Sequence, residues 1–280
     1  MKRRLSLCLA ALLCLLCLSC RAENDVEVLI YFLDVGQGDS ALVRTADGDV
    51  LIDAGTEDSQ DLLCLRLEQL GVSELALAVF THADEDHIGG ADGVLSHFPA
   101  REVWLNGGSM DSPAGRLLLE AAKACGAEVR EVSTGHLWSL GALRLNVLHP
   151  SSLHSGGGNE DSIVLRVGVG EVSAIFLGDA GVEQEQQMLN RFGAAHFDCD
   201  LYKVGHHGSS TSSSAAFLGA MSPDYAVISC GAGNSFGHPT GEVLARLEAV
   251  GAEVARTDLL GEIVFACDGK RIWMLEESLR

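Results

Sequence analysis

Short apolar runs and longer amphipathic segments alternate along the whole chain. Near its start, runs rich in β-branched and aromatic residues are separated by turns that contain glycine, which is the pattern of strands. In 58–70, leucines recur at helical spacing and Gly71 follows, which predicts a helix and its end. The apolar run 75–80 predicts a buried strand that delivers Thr81 and His82 into a loop. The earlier predicted strands are 28–33, 40–44 and 50–52.

The same alternation continues to the end of the chain. Further helices are predicted over 113–125, 181–191, 213–220 and 240–250. Further strands are predicted over 102–105, 128–132, 136–138, 143–148, 162–168, 171–177, 201–204, 225–229, 253–256, 261–266 and 271–275. Strand pairs near the start and in the middle are meander-like rather than doubly wound. We therefore expect a single α/β domain over 26–280, with two sheets between two layers of helices, αββα.

The first 20 residues have the order of a secretory signal peptide. Three basic residues precede an apolar run over 5–18, and Ser19 and Cys20 follow. The run is shorter than the roughly 20 apolar residues of a membrane span; an uncleaved N-terminal anchor is the alternative. The segment is similar to the lipobox of bacterial lipoproteins, with Cys17 where that box usually has leucine, which implies a lipid on Cys20. We expect an exported protein, either a cell-surface lipoprotein or a secreted one, that meets the membrane only through this lipid.

The net charge of −20 and the cysteine pattern narrow the classes of function. Removal of the predicted leader, with its three basic and no acidic residues, would bring the charge to about −23. A field of this sign repels polyanions and offers no basic footprint for nucleic acid, so bound cations would have to hold an anionic substrate. Of nine cysteines, five follow the leader without a CxxC pair. That pattern argues against a zinc knuckle and is typical of small buried hydrophobic residues.

The segment THADEDHIGG at 81–90 carries the candidate chemistry. Four side chains of metal-ligand type fall within six residues, directly after a predicted strand. An extended loop places His82 and Asp84 on one side through its period of two. Asp86 and His87 lie at the start of a predicted helix, so their side chains diverge and can reach a second metal. A solvated acidic loop is the alternative, and the packed pattern favours a metal site.

The pattern HxDxDH resembles the metal-binding motif of ComEC-type competence proteins, a variant of the HxHxDH motif of the metallo-β-lactamase superfamily. Other segments are similar to elements of the same group and occur in the same order. They are FLDVGQGDS at 32–40, LIDAG at 51–55, LGD at 177–179, KVGHHGS at 203–209 and GAGNSFGHP at 231–239. The resemblance covers residues 28–266. It implies the metallo-β-lactamase fold and a metal-dependent hydrolase. In ComEC-type proteins the domain accompanies a membrane channel, which we do not expect to be the activity here.

The resemblance also implies a binuclear metal centre. The residues carried over to the first metal are His82, Asp84, Asp179 and, in place of the superfamily's third-motif histidine, Asn159. Those carried over to the second metal are Asp86, His87, His206 and the shared Asp179. His206 is preferred to His207 because it comes first after the strand. The ions are Zn²⁺ or Mn²⁺, with Mg²⁺ also open, since the first site is rich in oxygen ligands. His149 and His154 lie close to the missing histidine in sequence and are the alternatives to Asn159.

The implied roles of the remaining residues follow from their positions in the motifs. Two cations would make hydroxide available near neutral pH, with Asp84, Asp86, His207 and His238 as the catalytic group. Hydrogen bonds to a phosphate would come from Lys203, Ser209, Ser210 and Thr211. The alternative for the serine-rich segment is a helix N-cap. Asp34 and Asp53 would fix imidazole tautomers, or else cap backbone amides in turns.

A phosphodiesterase or nuclease is the leading hypothesis for function. The acidic chain disfavours long nucleic-acid tracks, so a phosphoester on a wall polymer or a small nucleotide is a rival within the same chemistry. Hydrolysis of an ester, lactone or β-lactam is a second class. A surface binding protein without enzymatic activity is a third. The sequence makes no prediction about oligomeric state.

Overall fold

A computed structural model describes residues 26–153 and 157–276. The predicted leader with Cys20, and His154, lie outside these residues. Within the described part of the chain, none of the helices has the length and apolar character needed to cross a membrane.

The described strands form two mixed sheets. In chain order they are β1 (Val28–Phe32), β2 (Ala41–Thr45), β3 (Gly48–Ile52), β4 (Leu77–Val79), β5 (Glu102–Leu105), β6 (Glu128–Glu131), β7 (Leu137–Leu140), β8 (Leu143–His149), β9 (Val164–Val169), β10 (Val172–Phe176), β11 (Leu201–Lys203), β12 (Tyr225–Ile228), β13 (Glu253–Arg256), β14 (Ile263–Cys267) and β15 (Ile272–Met274). The first sheet has the order β15-β14-β1-β2-β3-β4-β5-β6, and the second has the order β13-β12-β11-β10-β9-β8-β7.

Each sheet is antiparallel on one side and parallel on the other. In the first, β14, β1, β2 and β3 pair antiparallel, whereas β3, β4, β5 and β6 pair parallel. In the second, β7 to β10 pair antiparallel and β10 to β13 parallel. The carboxyl ends of β3 and β4, and those of β10 and β11, therefore lie side by side. Loops at such ends are where α/β sheets build their ligand sites.

Alternating side chains of the inner strands form the core between the sheets. In β1, Val28, Ile30 and Phe32 face the second sheet, since successive side chains point to opposite faces of a strand. Phe32 stacks on Phe176 of β10 with ring centroids 5.7 Å apart. Leu51 of β3, one position out of this alternation, packs instead against the helices outside the first sheet.

Helices cover the outer face of each sheet. They are α1 (Gln60–Gln69), α2 (Glu85–Ile88), α3 (Ala91–His97), α4 (Pro113–Cys125), α5 (Val182–Phe192), α6 (Ala215–Met221), α7 (Gly241–Ala249) and α8 (Thr257–Leu260). Leu67, Val94 and Leu118 of α1, α3 and α4 pack on the first sheet. Met188 and Phe217 of α5 and α6 pack on the second. The predicted αββα four-layer fold is confirmed.

The predicted bounds of α4 agree with the structure because capping residues mark both of its ends. Ser112 accepts a hydrogen bond from the Gly115 amide as N-cap, and Pro113 takes the first helical position. Gly126 ends the helix in the left-handed conformation, with φ 81°.

The short helix α3 was not predicted. Ala91, Val94, Leu95 and Phe98 have helical spacing and are buried. The segment is only seven residues long and contains Gly93, so its propensity is weak and packing against α4 decides its structure. The turn α8 also went unpredicted, because four residues are too few to show a period.

The cysteines of the described residues are free. Cys64, Cys199, Cys230 and Cys267 are buried, and Cys125 is half-buried. Burial raises the pKa of the Cys199 thiol to about 12, so it behaves as a small apolar side chain, as the sequence indicated.

Candidate metal centre

The candidate site lies where loops from both sheets meet. Asp53 follows β3, and the segment from His82 to His87 follows β4. Asp179 follows β10 and His207 follows β11 in the second sheet. The four loops leave the carboxyl ends of neighbouring parallel strands, so residues distant in sequence converge on one point.

Three imidazoles converge on one carboxylate. The Nε2 atoms of His82, His87 and His207 lie 3.9, 3.3 and 3.8 Å from the Asp179 carboxylate oxygens. These nitrogens and Oδ1 of Asp179 are buried, and none of them has a hydrogen-bond partner among the described residues. Buried polar atoms without partners are rare in folded proteins and call for an explanation such as a bound ion.

Two carboxylates stand at the open side of this cluster. Asp84 Oδ2 lies 3.6 Å from Nε2 of His82, and Asp86 Oδ2 lies 3.2 Å from Nε2 of His207. Their side chains are 50% and 28% exposed, whereas the histidines are buried. The carboxylates therefore separate the imidazoles from solvent on that side.

The donor set fits divalent metal ions. Ligand atoms of His82, His87 and Asp179 lie within 4.8 Å of one another, and so do those of Asp86, His87 and His207. Neutral imidazole nitrogen and carboxylate oxygen are the ligands that zinc, manganese and iron accept in proteins. The residues of the cluster therefore fit a divalent metal ion.

The charges of the cluster depend on this crowding of histidines and carboxylates. Burial disfavours the imidazolium of His87, but Asp179 and Asp53 outweigh it and hold its pKa well above the usual value. Burial likewise opposes protonation of His207, and Asp39, Asp86 and Asp179 nevertheless raise its pKa to about 10. Without metal, protons on these imidazoles balance the negative charges of the ionised carboxylates. Metal binding would displace these protons, because a histidine ligand must be neutral at the coordinating nitrogen.

A buried carboxylate fixes the orientation of His87. Oδ2 of Asp53 lies 2.9 Å from Nδ1 of His87, and Asp53 also accepts hydrogen bonds of 2.8 Å from the amide and the hydroxyl of Thr81. A carboxylate can only accept, so Nδ1 carries the proton and Nε2 faces Asp179. Asp53 has a φ of 58°, a left-handed conformation that non-glycine residues rarely adopt. The backbone is thus constrained at Asp53, the residue that the sequence predicted to orient an imidazole.

Asp34, the second predicted orienting carboxylate, does not reach the cluster. Its side chain is exposed and accepts a hydrogen bond from the Gly36 amide. Asp34 therefore caps a backbone amide in a turn, which is the alternative that the sequence left open.

A backbone carbonyl orients the third imidazole, and Asp39, a residue without a predicted role, lies beside it. His207 donates from Nδ1 to the Ser229 carbonyl at 3.0 Å, and Asp39 Oδ1 lies 3.2 Å from the same nitrogen. Asp39 in turn accepts a 2.7 Å hydrogen bond from Lys203. Burial opposes ionisation of Asp39, but the Lys203 ammonium and His207 outweigh it and lower the pKa of this carboxyl. The signal for Asp39 was available, because a lysine predicted at the end of a buried strand needs a carboxylate partner.

The glycine before Asp39 allows this arrangement. A Cβ at Gly38 would stand 2.4 Å from the Asp86 carbonyl oxygen, and φ is 152°. The Asp39 amide donates to that same carbonyl at 3.0 Å. The GQGD segment of the first sheet is thereby attached to the HxDxDH loop.

The predicted substrate role of Lys203 is wrong. Its side chain is 4% exposed, and its ammonium bonds Asp39 and the Val204 carbonyl. A strand end buried between the sheets leaves it no path to a substrate. Ser209 is also buried, with its hydroxyl 2.9 Å from that of Thr211, whereas Ser210 and Thr211 are exposed. The cap of α6 is Ser214, which accepts from the Phe217 amide.

The structure brings both adjacent histidines to Asp179, and of the two only His207 is in a group of side chains placed to share an ion. His207 is buried in the cluster, whereas the His206 ring is partly exposed and its Nε2 lies 3.6 Å from Asp179 Oδ2. Both residues have a positive φ, 47° and 52°. The resulting tight turn points the two rings in different directions. The order of the two histidines after the strand therefore does not show which ring is buried in the cluster. Asn159 Nδ2 lies 3.4 Å from both His206 Nε2 and Asp179 Oδ2.

The other histidines divide between the rim and the outside of the cluster. His238 lies at the rim, with its ring centroid 5.7 Å from that of His206. His149 is buried, and its Nδ1 lies 3.1 Å from the Ser162 carbonyl. Its ring therefore supports the Asn159 segment from behind, and it is not among the groups of side chains placed to share an ion.

Comparisons with known proteins agree with this geometry. The protein is 33% identical over 267 residues to ComE operon protein 3 of Bacillus subtilis, which covers 89% of this chain and 33% of the relative. It is 37% identical over 245 residues to competence protein ComA of Neisseria gonorrhoeae, covering 87% of this chain and 32% of the relative. The chain thus spans about a third of the length of these curated relatives. The predicted resemblance to ComEC-type competence proteins is confirmed.

Solved structures share the fold. CmlA, a diiron β-hydroxylase from Streptomyces venezuelae, matches with a TM-score of 0.57 and 14% identity, covering 89% of this chain and 54% of its own. The metallo-β-lactamase fold protein YhfI from Bacillus subtilis matches with a TM-score of 0.54 and 11% identity, covering 86% of this chain and all of its own. The family model of the metallo-β-lactamase superfamily matches residues 33–232, a range that contains every side chain of the metal cluster. The chain belongs to the metallo-β-lactamase superfamily.

Proposed function

We propose that this protein is a phosphodiesterase that binds two divalent metal ions. The observation that carries the proposal is the set of three buried Nε2 atoms, on His82, His87 and His207, that surround Asp179 without hydrogen-bond partners. The chain belongs to the metallo-β-lactamase superfamily, and bound metal would give these buried atoms the partners that they lack.

The cluster divides into two sites that share Asp179. His82, Asp84 and Asp179 would hold the first ion, with Asn159 and His206 beside it at the rim. Asp86, His87, His207 and Asp179 would hold the second. The first site has more oxygen donors and is open to Mn²⁺ or Mg²⁺, whereas the second, with two imidazoles, suits Zn²⁺ as well.

The protein's own side chains prepare the site for a substrate. Bound divalent ions would supply Lewis acidity at a phosphoryl oxygen. Asp53 and the Ser229 carbonyl accept from Nδ1 of His87 and of His207, and each keeps its imidazole in one tautomer and one orientation. At the rim, His206, His238 and Asn159 are half-exposed, and the hydroxyls of Ser210 and Thr211 are open to solvent. These are donors that can bind the non-bridging oxygens and the leaving group of a diester.

Phosphodiesters are favoured over other substrates by the rim and by the relatives. Hydroxyl, amide and imidazole donors surround the cluster, and one of the relatives is named a competence protein. The net charge of −20 favours a short or small diester over long nucleic-acid tracks, because binding along a polyanion needs many Lys and Arg contacts.

We also propose export behind the predicted leader, with a lipid on Cys20. The support is the order of basic, apolar and cysteine residues over 1–20. In a bacterial host, labelling with a palmitate analogue should mark the wild-type chain and leave Cys20→Ser unlabelled. Labelling of both would place the lipid elsewhere, and labelling of neither would remove it from the proposal.

The experiment that tests the enzymatic proposal combines metal content with turnover. The purified protein should contain about two ions per chain and hydrolyse bis(p-nitrophenyl) phosphate faster after addition of Mn²⁺. His87→Ala and Asp86→Ala should lower both metal content and turnover, the latter by at least about 100-fold. His97→Ala is the matched control, because this exposed histidine lies outside the cluster and bonds only the Gly93 carbonyl.

Two results would contradict the proposal. Metal binding with turnover of nitrocefin or a lactone, and none of the phosphodiester, would keep the metal centre and replace the substrate class. Less than one ion per chain, with no response of turnover to a chelator, would favour a binding protein.

A further inference from the structure

An exposed phenylalanine stands at the rim of the metal cluster. The side chain of Phe236 is 66% exposed, although burying a phenyl ring is strongly favourable. Its ring is nearly parallel to that of His238, with an interplanar angle of 23° and centroids 5.8 Å apart. One face of the phenyl ring is thus supported by an imidazole, and the ring presents a large aromatic surface to solvent.

The loop that carries this ring is internally bonded. Oδ1 of Asn234 accepts from the amides of Phe236 and His238, at 3.2 and 3.1 Å. Its Nδ2 donates to the carbonyls of Gly231 and His238. A single side chain therefore fixes both ends of the turn, and the position of the phenyl ring is set before any ligand arrives.

The loop is also attached to the metal-binding loops. Gly231 donates to the side chain of Gln37 at 3.1 Å, in the GQGD segment. The Thr240 amide donates to the Gly208 carbonyl at 2.9 Å, directly after the two histidines of the HHG turn. The aromatic surface and the metal cluster are consequently parts of one connected structure.

Ring contacts lead from the exposed phenyl to the centre. His238 meets His206 edge to face at a centroid distance of 5.7 Å. Nε2 of His206 lies 3.6 Å from Asp179 Oδ2. Phe236 is thus connected through two imidazole rings to the carboxylate at the centre of the cluster.

We propose that Phe236 is a stacking surface for the nucleobase next to the scissile phosphate, so that the substrates are nucleotide diesters or short single-stranded oligonucleotides. The inference rests on the proposed phosphodiesterase function. A planar base gains from stacking on an exposed aromatic ring whatever its sequence, since every base has a π face. One such surface selects a base beside the reacting phosphate without the basic track that a long polyanion requires.

The supported geometry distinguishes a base from other occupants. An aliphatic wall polymer has no ring to stack, and a quaternary ammonium group is normally enclosed by several aromatic rings rather than placed on one. Here one open ring, backed by an imidazole, lies beside the metal cluster. That arrangement suits a flat, uncharged ring.

The test compares diesters that share one leaving group. Four p-nitrophenyl diesters are assayed with the metal-loaded protein. Two carry thymine, as thymidine 5′-(p-nitrophenyl phosphate) and thymidine 3′-(p-nitrophenyl phosphate). Two carry no base, as deoxyribose 5-(p-nitrophenyl phosphate) and methyl p-nitrophenyl phosphate. We expect kcat/KM to be about tenfold or more higher with a thymine base on one side of the phosphate than without it. Phe236→Ala and Phe236→Leu should remove most of that preference, mainly through KM, and leave turnover of the methyl ester unchanged. Phe236→Trp should retain it.

The matched control is Leu137→Ala. Leu137 is 69% exposed and lies on β7, the outer strand of the second sheet. An unchanged thymine preference in Phe236→Ala, with the methyl ester still hydrolysed, would overturn the stacking inference and leave the proposed function standing. Equal loss on all the diesters would also overturn it, since a structural defect does not distinguish the base. Absence of turnover of every diester by the wild-type protein would overturn both.

Discussion

At the scale of single residues, protons and tautomers decide what the cluster can bind. Asp53 and Asp39 each face the Nδ1 atom of an imidazole, and each leaves the Nε2 atom directed into the cluster. The sequence offered Asp34 and Asp53 as equivalent orienting carboxylates. Only burial separates them, because Asp34 is exposed in a turn and Asp53 is enclosed beside Thr81 and His87.

Asp53→Asn tests the orienting role without changing the shape of the side chain. Asparagine tolerates a positive φ, so the backbone can persist. If its one carbonyl oxygen keeps the hydrogen bond from the Thr81 amide, its NH2 group faces Nδ1 of His87 and cannot accept from it. The tautomer with a free Nε2 is disfavoured, and we expect metal affinity to fall by about 10- to 100-fold. Competition with a fluorescent chelator measures it.

Asp34→Asn is the control for this prediction. It makes the same chemical change on an exposed carboxylate, and metal affinity should stay within about twofold of wild type. Equal affinity of Asp53→Asn and wild type would show that the His87 tautomer does not depend on Asp53.

At the scale of elements, the loop between β1 and β2 is joined to the end of β11 by a buried ion pair. Asp39 and Lys203 lie 2.7 Å apart with side chains that are nearly inaccessible. Removal of one partner leaves a buried charge unpaired, which typically costs about 3–5 kcal/mol. The pair therefore connects the two sheets beside the metal centre, and each partner depends on the other.

Lys203→Met is expected to lower the free energy of unfolding by up to about 3–5 kcal/mol, because Asp39 would lose its ammonium partner and keep only the His207 imidazole beside it. Chemical denaturation of the metal-free protein measures this change. Arg101→Met is the control, since it breaks the exposed pair of Arg101 with Glu74 and should cost less than about 1 kcal/mol. A Lys203→Met variant of wild-type stability with a raised KM would instead restore the substrate role that the sequence suggested.

At the scale of the whole molecule, the metal cluster is a junction between the two halves of the fold. His82 and His87 follow a strand of the first sheet, whereas Asp179 and His207 follow strands of the second. Ions bound between these loops would bind only the folded chain, since unfolding separates their ligands. Metal binding is therefore coupled to the stability of the whole domain.

Removal of metal should lower the melting temperature. At a free ion concentration of about 100 times Kd, binding to the folded state contributes about 2.7 kcal/mol, which corresponds to roughly 5–10 °C for a chain of this size. Scanning calorimetry with and without a chelator measures the shift, and the His87→Ala variant should show little of it. An unchanged melting temperature in a protein shown to bind metal would mean that the ions do not hold the sheets together.

The sequence by itself determined the layered fold and most elements, and it predicted the histidines and aspartates that the structure brings together. Apolar periodicity marked the strands and long helices, because burial on one face imposes a period. The HxDxDH segment, Asp179 and Asp53 carry their chemistry in residue type and in position after a strand. Only the tertiary structure decided that His207 is buried in the cluster and His206 lies at its rim, that Asp53 and not Asp34 faces an imidazole, and that Asp39 is the partner of Lys203. These choices depend on the direction of a side chain and on its exclusion from water, which arise when two sheets distant in sequence pack together.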